Sequence, residues 1–118
     1  MITIISIGKK YDQPQPCDIH LDATEWPTPP PGYRKLDGRH GVIQTSVLTG
    51  NPVLFSYLLL AAQFAQRLAQ EQDQVTVVIE CSEGIHRSVA GAEALLAYIT
   101  ELGEEGTVFH RDLGRRAS

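Results

Sequence analysis

"VTVVIECSEGIHRSVAGAEALLAYITELG", residues 75–103, decides how this chain is read. Its first six residues, Val75 to Glu80, form a nearly continuous apolar run. Such a run suits a strand buried on both faces in a parallel sheet. From Ser88 to Leu102 the residues Val89, Ala92, Leu95, Leu96, Ile99 and Leu102 fall on one side of a helix, and Gly103 ends it. The next short strand is Thr107 to His110. Strand, helix and strand together predict a βαβ unit with a right-handed crossover at the carboxyl end of the chain.

Working outward, "ITIISI" (Ile2 to Ile7) is rich in β-branched residues and stops at Gly8, so it predicts a first strand. Cys17 to Ala23 alternates and predicts a second. Residues 25–41, "EWPTPPPGYRKLDGRHG", are a loop by their proline and glycine content. A loop of that length is functional or mobile. Asn51-Pro52 then opens a helix carrying Leu54, Tyr57, Leu58, Ala61, Phe64, Ala65 and Leu68 at steps of one, three and four. The order is strand, strand, long loop, helix, strand, helix, strand. It predicts a single domain over residues 1–118 of α/β class, a small sandwich of two or three layers with a mostly parallel sheet. Ligands of such sheets bind at the carboxyl ends of the strands.

Composition bounds the function. A chain of 118 residues with 42% hydrophobic content is one globular domain. A formal net charge of −4 argues against a broad nucleic-acid surface, while a local basic patch stays open. Two cysteines, Cys17 and Cys81, do not make a secreted disulfide scaffold. The start "MITIISIGKK" has its lysines after a short apolar run, the reverse of a signal peptide. "YLLLAA" is too short to span a bilayer. The expectation is a cytoplasmic protein with no membrane contact.

The chemistry lies in Cys81-Ser82-Glu83-Gly84-Ile85-His86-Arg87-Ser88, between the buried strand and its helix. A helix start offers unpaired N–H groups and the positive end of a dipole. Gly84 allows the backbone to turn N–H groups inward as a nest. Arg87 adds a planar fork of donors, and Ser88 can cap the helix and reach the same anion. Together these residues predict a phosphate or sulfate site. His110 and Arg111, after the last strand, are expected at the same edge, one facing the anion and the other the surface. Arg34, Arg39 and His40 of the long loop could close over it. Arg115 and Arg116 lie beyond the last strand and are expected to fray, supplying charge to a partner and nothing to the pocket.

A cysteine, five residues, then arginine and serine resembles the phosphate loop of cysteine-dependent phosphatases, with Cys81 as nucleophile and Arg87 holding the phosphoryl group. In tyrosine phosphatases the acid follows a Trp-Pro pair. Trp26-Pro27 is present here, but Thr28 stands where that family has aspartate. Asp22, Asp37 or His86 would have to substitute. The alternative is that Cys81 is only a small buried residue at a strand end.

A wider resemblance is to the carboxy-terminal domain of the RapZ, or RNase adapter protein, family. Its signature strand end with Gly-x-His-Arg-Ser-Val stands here as Gly84-Ile85-His86-Arg87-Ser88-Val89, preceded by Cys81. The early Gly8-Lys9-Lys10-Tyr11, the proline-rich Asp22 to Pro31, Leu48-Thr49-Gly50 and the terminal His110-Arg111-Asp112-Leu113 follow in the family's order. The resemblance implies part of a sugar-phosphate kinase fold, binding of glucosamine-6-phosphate and contact with a small RNA. It does not imply phosphatase chemistry. No Gly-x4-Gly-Lys-Ser/Thr loop occurs, so ATP hydrolysis is not carried over.

Three other patterns carry less. "HRDL" at residues 110–113 copies a kinase catalytic loop without the rest of a kinase. "RRAS" copies a kinase target. His20, His40, His86 and His110 lack metal-ligand spacing, so no metal and no cofactor are expected. The expectation is a domain that binds a phosphorylated small metabolite, of the amino-sugar phosphate kind, in a regulatory or adapter role. A cysteine-dependent phosphatase is one alternative. An RNA- or protein-binding adapter module that pairs with itself as a homo-oligomer is the other.

Overall fold

The computed structural model describes residues 1–115. Four parallel strands lie in the order β2-β3-β1-β4: β1 is Ile2–Gly8, β2 Ile19–Asp22, β3 Val75–Cys81 and β4 Gly106–His110. The helices are α1 (Gly41–Thr49), α2 (Val53–Ala69) and α3 (Arg87–Glu101). The α/β class is as the sequence predicts, and the sheet is wholly parallel.

Alternation along the strands sorts the core. Ile2 and Ile4 of β1, Ile19 and Leu21 of β2, and Val75, Val77 and Ile79 of β3 share one cluster with residues of all three helices, among them Ile43, Leu58 and Leu95. On the opposite face Ile5, Ile7 and Val78 form a small cluster of their own with no helical member. The helices therefore cover one face, and the sandwich has two layers. The apolar run of β3 is explained by its central place, since Val77, Val78 and Ile79 are all fully buried.

Two features go beyond the sequence reading. The stretch after the long loop is not irregular: Gly41–Thr49 forms α1, which buries Ile43 and Val47. Its two buried residues are four apart with Gln44, Thr45 and Ser46 between them, too sparse an apolar pattern to declare a helix. The βαβ unit is also not a pair of neighbours. Strand β1 lies between β3 and β4, so α3 crosses over β1. His86 and His110 thus leave strand ends that are one strand apart.

The long loop is docked. Gly38 N–H donates to Ile85 O at 2.8 Å, and the Gly38 Cα lies so near α3 that a Cβ there would be 2.4 Å from Ala90 N. Trp26 is buried against Gly91 of α3 and stacks edge-on with Tyr57 of α2, ring centroids 6.0 Å apart. These contacts bring residues 24–38 over the start of α3.

Candidate anion-binding site

The turn after β3 is built around sulfur. Cys81 is 2% exposed; its thiol donates to Ser88 Oγ at 3.2 Å and accepts the Gly84 N–H at 3.3 Å. Gly84 holds φ at +74°, a left-handed conformation that other residues adopt only with strain. The turn thereby folds back over the Cys81 side chain. Ser88 does not cap the helix. Helix α3 begins one residue earlier, at Arg87, with His86 in the capping position and no side-chain cap bond, and Ser88 is fully buried beneath the turn. The hydroxyl accepts from the thiol because both are buried away from water and need partners within the protein.

Arg87 spans the site. One guanidinium nitrogen donates to the Thr24 carbonyl of the long loop and another to Ser82 Oγ at 3.3 Å. Neither partner is a carboxylate, so no charge cancels this cation within the two bonds. The His86 ring nitrogen Nε2 lies 2.9 Å from the Arg34 carbonyl. A carbonyl can only accept, so Nε2 carries the hydrogen and donates it. Glu83 leans outward to Lys10, 3.2 Å away, while Ile85 is buried.

Between the turn and the long loop lies a cleft of about 290 Å³, lined by Thr28, Pro29, Arg34, Ser82, Glu83, His86 and Arg87. Four of the residues singled out in the sequence meet here: Ser82, Glu83, His86 and Arg87. Cys81, Gly84, Ile85 and Ser88 form the turn beneath them. Arg34, suspected from the loop, is at the cleft, and Thr28 lies there as the Trp-Pro comparison places it. Pro29 and the Thr24 carbonyl had no signal beyond the proline-rich composition of their loop.

His110 and Arg111 do not line this cleft. His110 Nδ1 is 2.7 Å from Ser6 Oγ, and its Nε2 is 2.7 Å from Glu93 Oε2. Arg111 binds Asp112, itself fully buried, and reaches the carbonyls of Asp12 and Gln13 at 2.8 and 3.1 Å. Both side chains knit β4 to β1 and its following loop. Arg39 pairs with Asp37 at 2.8 Å, and His40 precedes α1. Arg115 is held rather than frayed: it pairs with Asp12 at 3.1 Å and Asp112 at 3.4 Å and stacks on the Tyr11 ring. Arg116 lies outside the described residues.

The carboxylates named as substitute acids are held ionised. The Thr24 hydroxyl and N–H, with Lys9 at 3.0 Å, bring Asp22 down to about 2. The Arg39 guanidinium holds Asp37 below the usual carboxylate range. A second depression of about 350 Å³ lies beside the helix-free face of the sheet, lined by Lys9, Asp12, Gln13, Pro14, His20 and Glu80. Its ionisable side chains are partnered, His20 with Glu80 at 2.8 Å, Lys9 with Asp22 and Asp12 with Arg115. Among the described residues no three His, Cys, Asp or Glu side chains gather as a metal site would need. Cys17 is exposed and Cys81 buried, both as free thiols.

A model of the RapZ C-terminal domain matches residues 1–114. The chain belongs to that family. A nucleotide-binding protein of Leifsonia xyli subsp. xyli is 36% identical over 97% of this chain and 41% of its own length. One of Mycobacterium leprae is also 36% identical, over 97% of this chain and 41% of its own. One of Streptomyces coelicolor is 34% identical, over 96% and 40%. The chain thus spans about two-fifths of the length of these curated relatives. The RapZ resemblance carried by Gly84–Val89 and His110–Leu113 is a family relationship extending over residues 1–114.

Proposed function

We propose that this RapZ-type domain binds a phosphorylated small metabolite of amino-sugar phosphate type, with the phosphate seated between the turn at Ser82–Arg87 and the loop at Thr28–Arg34, and serves a regulatory or adapter role. One observation carries the reading: Arg87, His86 and Arg34 converge with the start of α3 on one cleft of about 290 Å³. The helix start and its dipole favour an anion there, and guanidinium forks match phosphate oxygens. A volume of that size suits a small ligand. Glu83, the single carboxylate of the lining, offers an acceptor for an amine or sugar hydroxyl. The curated relatives bear the name nucleotide-binding protein, which agrees with a phosphorylated ligand in this family without locating it.

The test is thermal denaturation with inorganic phosphate, glucosamine-6-phosphate and glucosamine. A ligand at a hundred times its dissociation constant adds about 2.7 kcal/mol of stability, or about 10 °C in a domain of this size. The sugar phosphate should exceed phosphate, glucosamine alone should give no shift, and Arg87→Ala should remove most of the effect. An unchanged shift in Arg87→Ala would place the anion elsewhere.

A second reading, a cysteine-dependent phosphatase, is favoured by the Cys81 sulfur lying under the turn with the Gly84 N–H directed at it. Against it, Thr28 cannot donate a proton as an acid does, and Asp22 and Asp37 are held in the ionised form. Binding without rapid turnover is the better account.

A further inference from the structure

Residues 111–115, which follow β4, grip residues 8–13, which follow β1. Arg111 reaches the Asp12 and Gln13 carbonyls, and Arg115 pairs with the Asp12 carboxylate and lies over the Tyr11 ring. At the centre of the grip is Asp112, a carboxylate with no exposed surface. It accepts from Arg111 Nη2 at 2.9 Å and from the Gly8 N–H at 2.7 Å, and Arg115 Nε is 3.4 Å away. A buried carboxylate persists only where charge and hydrogen bonds compensate its lost hydration. Here the two arginines supply the charge, and the remaining bond is aimed at the end of β1. What lies there is the support of the turn after β3. Lys9 N–H donates to Cys81 O at 2.8 Å and Lys10 N–H to Ser82 O at 3.2 Å, while the Lys10 ammonium holds Glu83. Gly8 itself lies in backbone contact with Glu83 and Gly84. Gly8–Lys10 is therefore the floor on which Ser82–Gly84 is set.

We propose that Asp112 is a positioning residue: through the Gly8 N–H it holds the turn at Ser82–Gly84 closed over the Cys81 sulfur, although it does not line the cleft. Its consequence for phosphate affinity rests on the proposed binding function; the closure of the turn does not. The charge matters as well as the shape, because a hydrogen bond to an ionised acceptor is about twice as strong as a neutral one. Asp112→Asn keeps an oxygen for Gly8 and loses the charge, whereas Asp112→Ala loses both. The two substitutions therefore grade the hold on Gly8. His110→Ala is the control. It removes a link between β4 and β1 at the same end of the sheet and leaves the Gly8 bond in place.

Thiol reactivity on the full chain measures the turn directly. In a Cys17→Ser background Cys81 is the remaining thiol, and an aromatic disulfide reagent reaches it only when the turn lifts. Asp112→Ala should raise the rate of modification about tenfold or more, the factor that corresponds to one hydrogen bond to a charged group. Asp112→Asn should fall between Asp112→Ala and the parent. Lifting a turn exposes little surface, so the rise should hardly change at low urea, whereas global unfolding steepens with denaturant. In His110→Ala the rate should follow global unfolding alone. Phosphate affinity, measured where every variant is folded, should fall in the order parent, Asp112→Asn, Asp112→Ala and stay at the parent value in His110→Ala. An Asp112→Ala rate equal to that of His110→Ala at matched stability overturns the proposal, and so does a rate that climbs with urea as global unfolding does. If Asp112→Ala does not fold, Asp112→Asn against the parent decides by the same two criteria. A raised thiol rate with unchanged phosphate affinity supports the positioning role and counts against the phosphate site, so the two proposals fail separately.

Discussion

Gly8 and Gly84 press backbone against backbone at the carboxyl edge of the sheet. A Cβ on Gly84 would lie 2.6 Å from the Gly8 nitrogen, and one on Gly8 would lie 2.4 Å from the Glu83 carbonyl carbon. The contact fixes the turn over Cys81, because Gly8 is also the ladder partner of Cys81 and its N–H is held by Asp112 at 2.7 Å. Alanine at either position must push the turn away from β1, at a cost of about 1–3 kcal/mol. Gly84→Ala adds the left-handed penalty of about 1–2 kcal/mol. Urea denaturation should rank the parent above Gly8→Ala and Gly8→Ala above Gly84→Ala. Both variants should lose the phosphate-induced rise in melting temperature. Parent-like stability in Gly84→Ala would mean that the turn relaxes freely and is not preorganised.

His110 joins three elements through Ser6 of β1 and Glu93 of α3. Ser6 is fully buried, so His110→Ala would strand its hydroxyl and leave the half-buried Glu93 without its partner. The expected loss is about 1–3 kcal/mol in urea denaturation. Phosphate affinity in the folded variant should match the parent's, since His110 does not line the cleft. A selective loss of affinity with full stability would restore His110 to the binding site.

How much of this the sequence could tell depended on the range of the interaction. The β3–α3 unit is legible because burial writes itself locally, as an unbroken apolar run and then a stripe of helical spacing. The turn after β3 is legible for the same reason: Gly84, His86 and Arg87 lie within one loop. Helix α1 leaves little trace in the sequence because only Ile43 and Val47 bury, and its amphipathic signal is faint. The fate of His110 and Arg111 was not readable, because it rests on β1 lying between β3 and β4. That places Ser6 and the Asp12–Gln13 carbonyls beside them across about a hundred residues of chain. Strand order is a property of the whole fold and leaves little trace in any one window.

Asp37 and Arg39 give the long loop an acid-sensitive internal brace on either side of Gly38, where it docks on the start of α3. Arg39 lowers the Asp37 carboxyl, whose side chain is only 11% exposed. For a group lowered on folding, the stabilisation is complete above its unfolded value, about 3.9. It fades as pH falls through the lower folded value. Asp37→Asn keeps the shape but cannot carry the charge. The gap in urea midpoint between parent and variant should be widest near neutral pH and shrink below about pH 4. An equal gap at pH 7 and pH 2.5 would show that Asp37 acts through packing alone.

The chemistry of Cys81 can be settled with leaving groups of different strength. If the thiolate attacked phosphorus, a sulfur–phosphorus bond would form as the phosphorus–oxygen bond broke, and the departing oxygen would keep the electron pair. A dinitrophenolate leaves without a proton, whereas an alkoxide needs an acid beside it. Thr28 stands at the cleft where the comparison puts the acid, and the substitute carboxylates Asp22 and Asp37 are held low, Asp22 at about 2. Turnover of alkyl and ordinary aryl phosphates should therefore be absent or very slow. Cys81→Ser should bind phosphate nearly as the parent does, because the serine hydroxyl can still meet Ser88 and Gly84. A Thr28→Asp variant supplies the missing acid at the position the phosphatase comparison gives it. If the turn is only a cradle, Thr28→Asp should weaken phosphate binding by charge repulsion and produce no hydrolysis. Rapid hydrolysis by the parent that vanishes in Cys81→Ser would make the domain an enzyme. Hydrolysis gained only in Thr28→Asp would show a nucleophile in place and an acid lost.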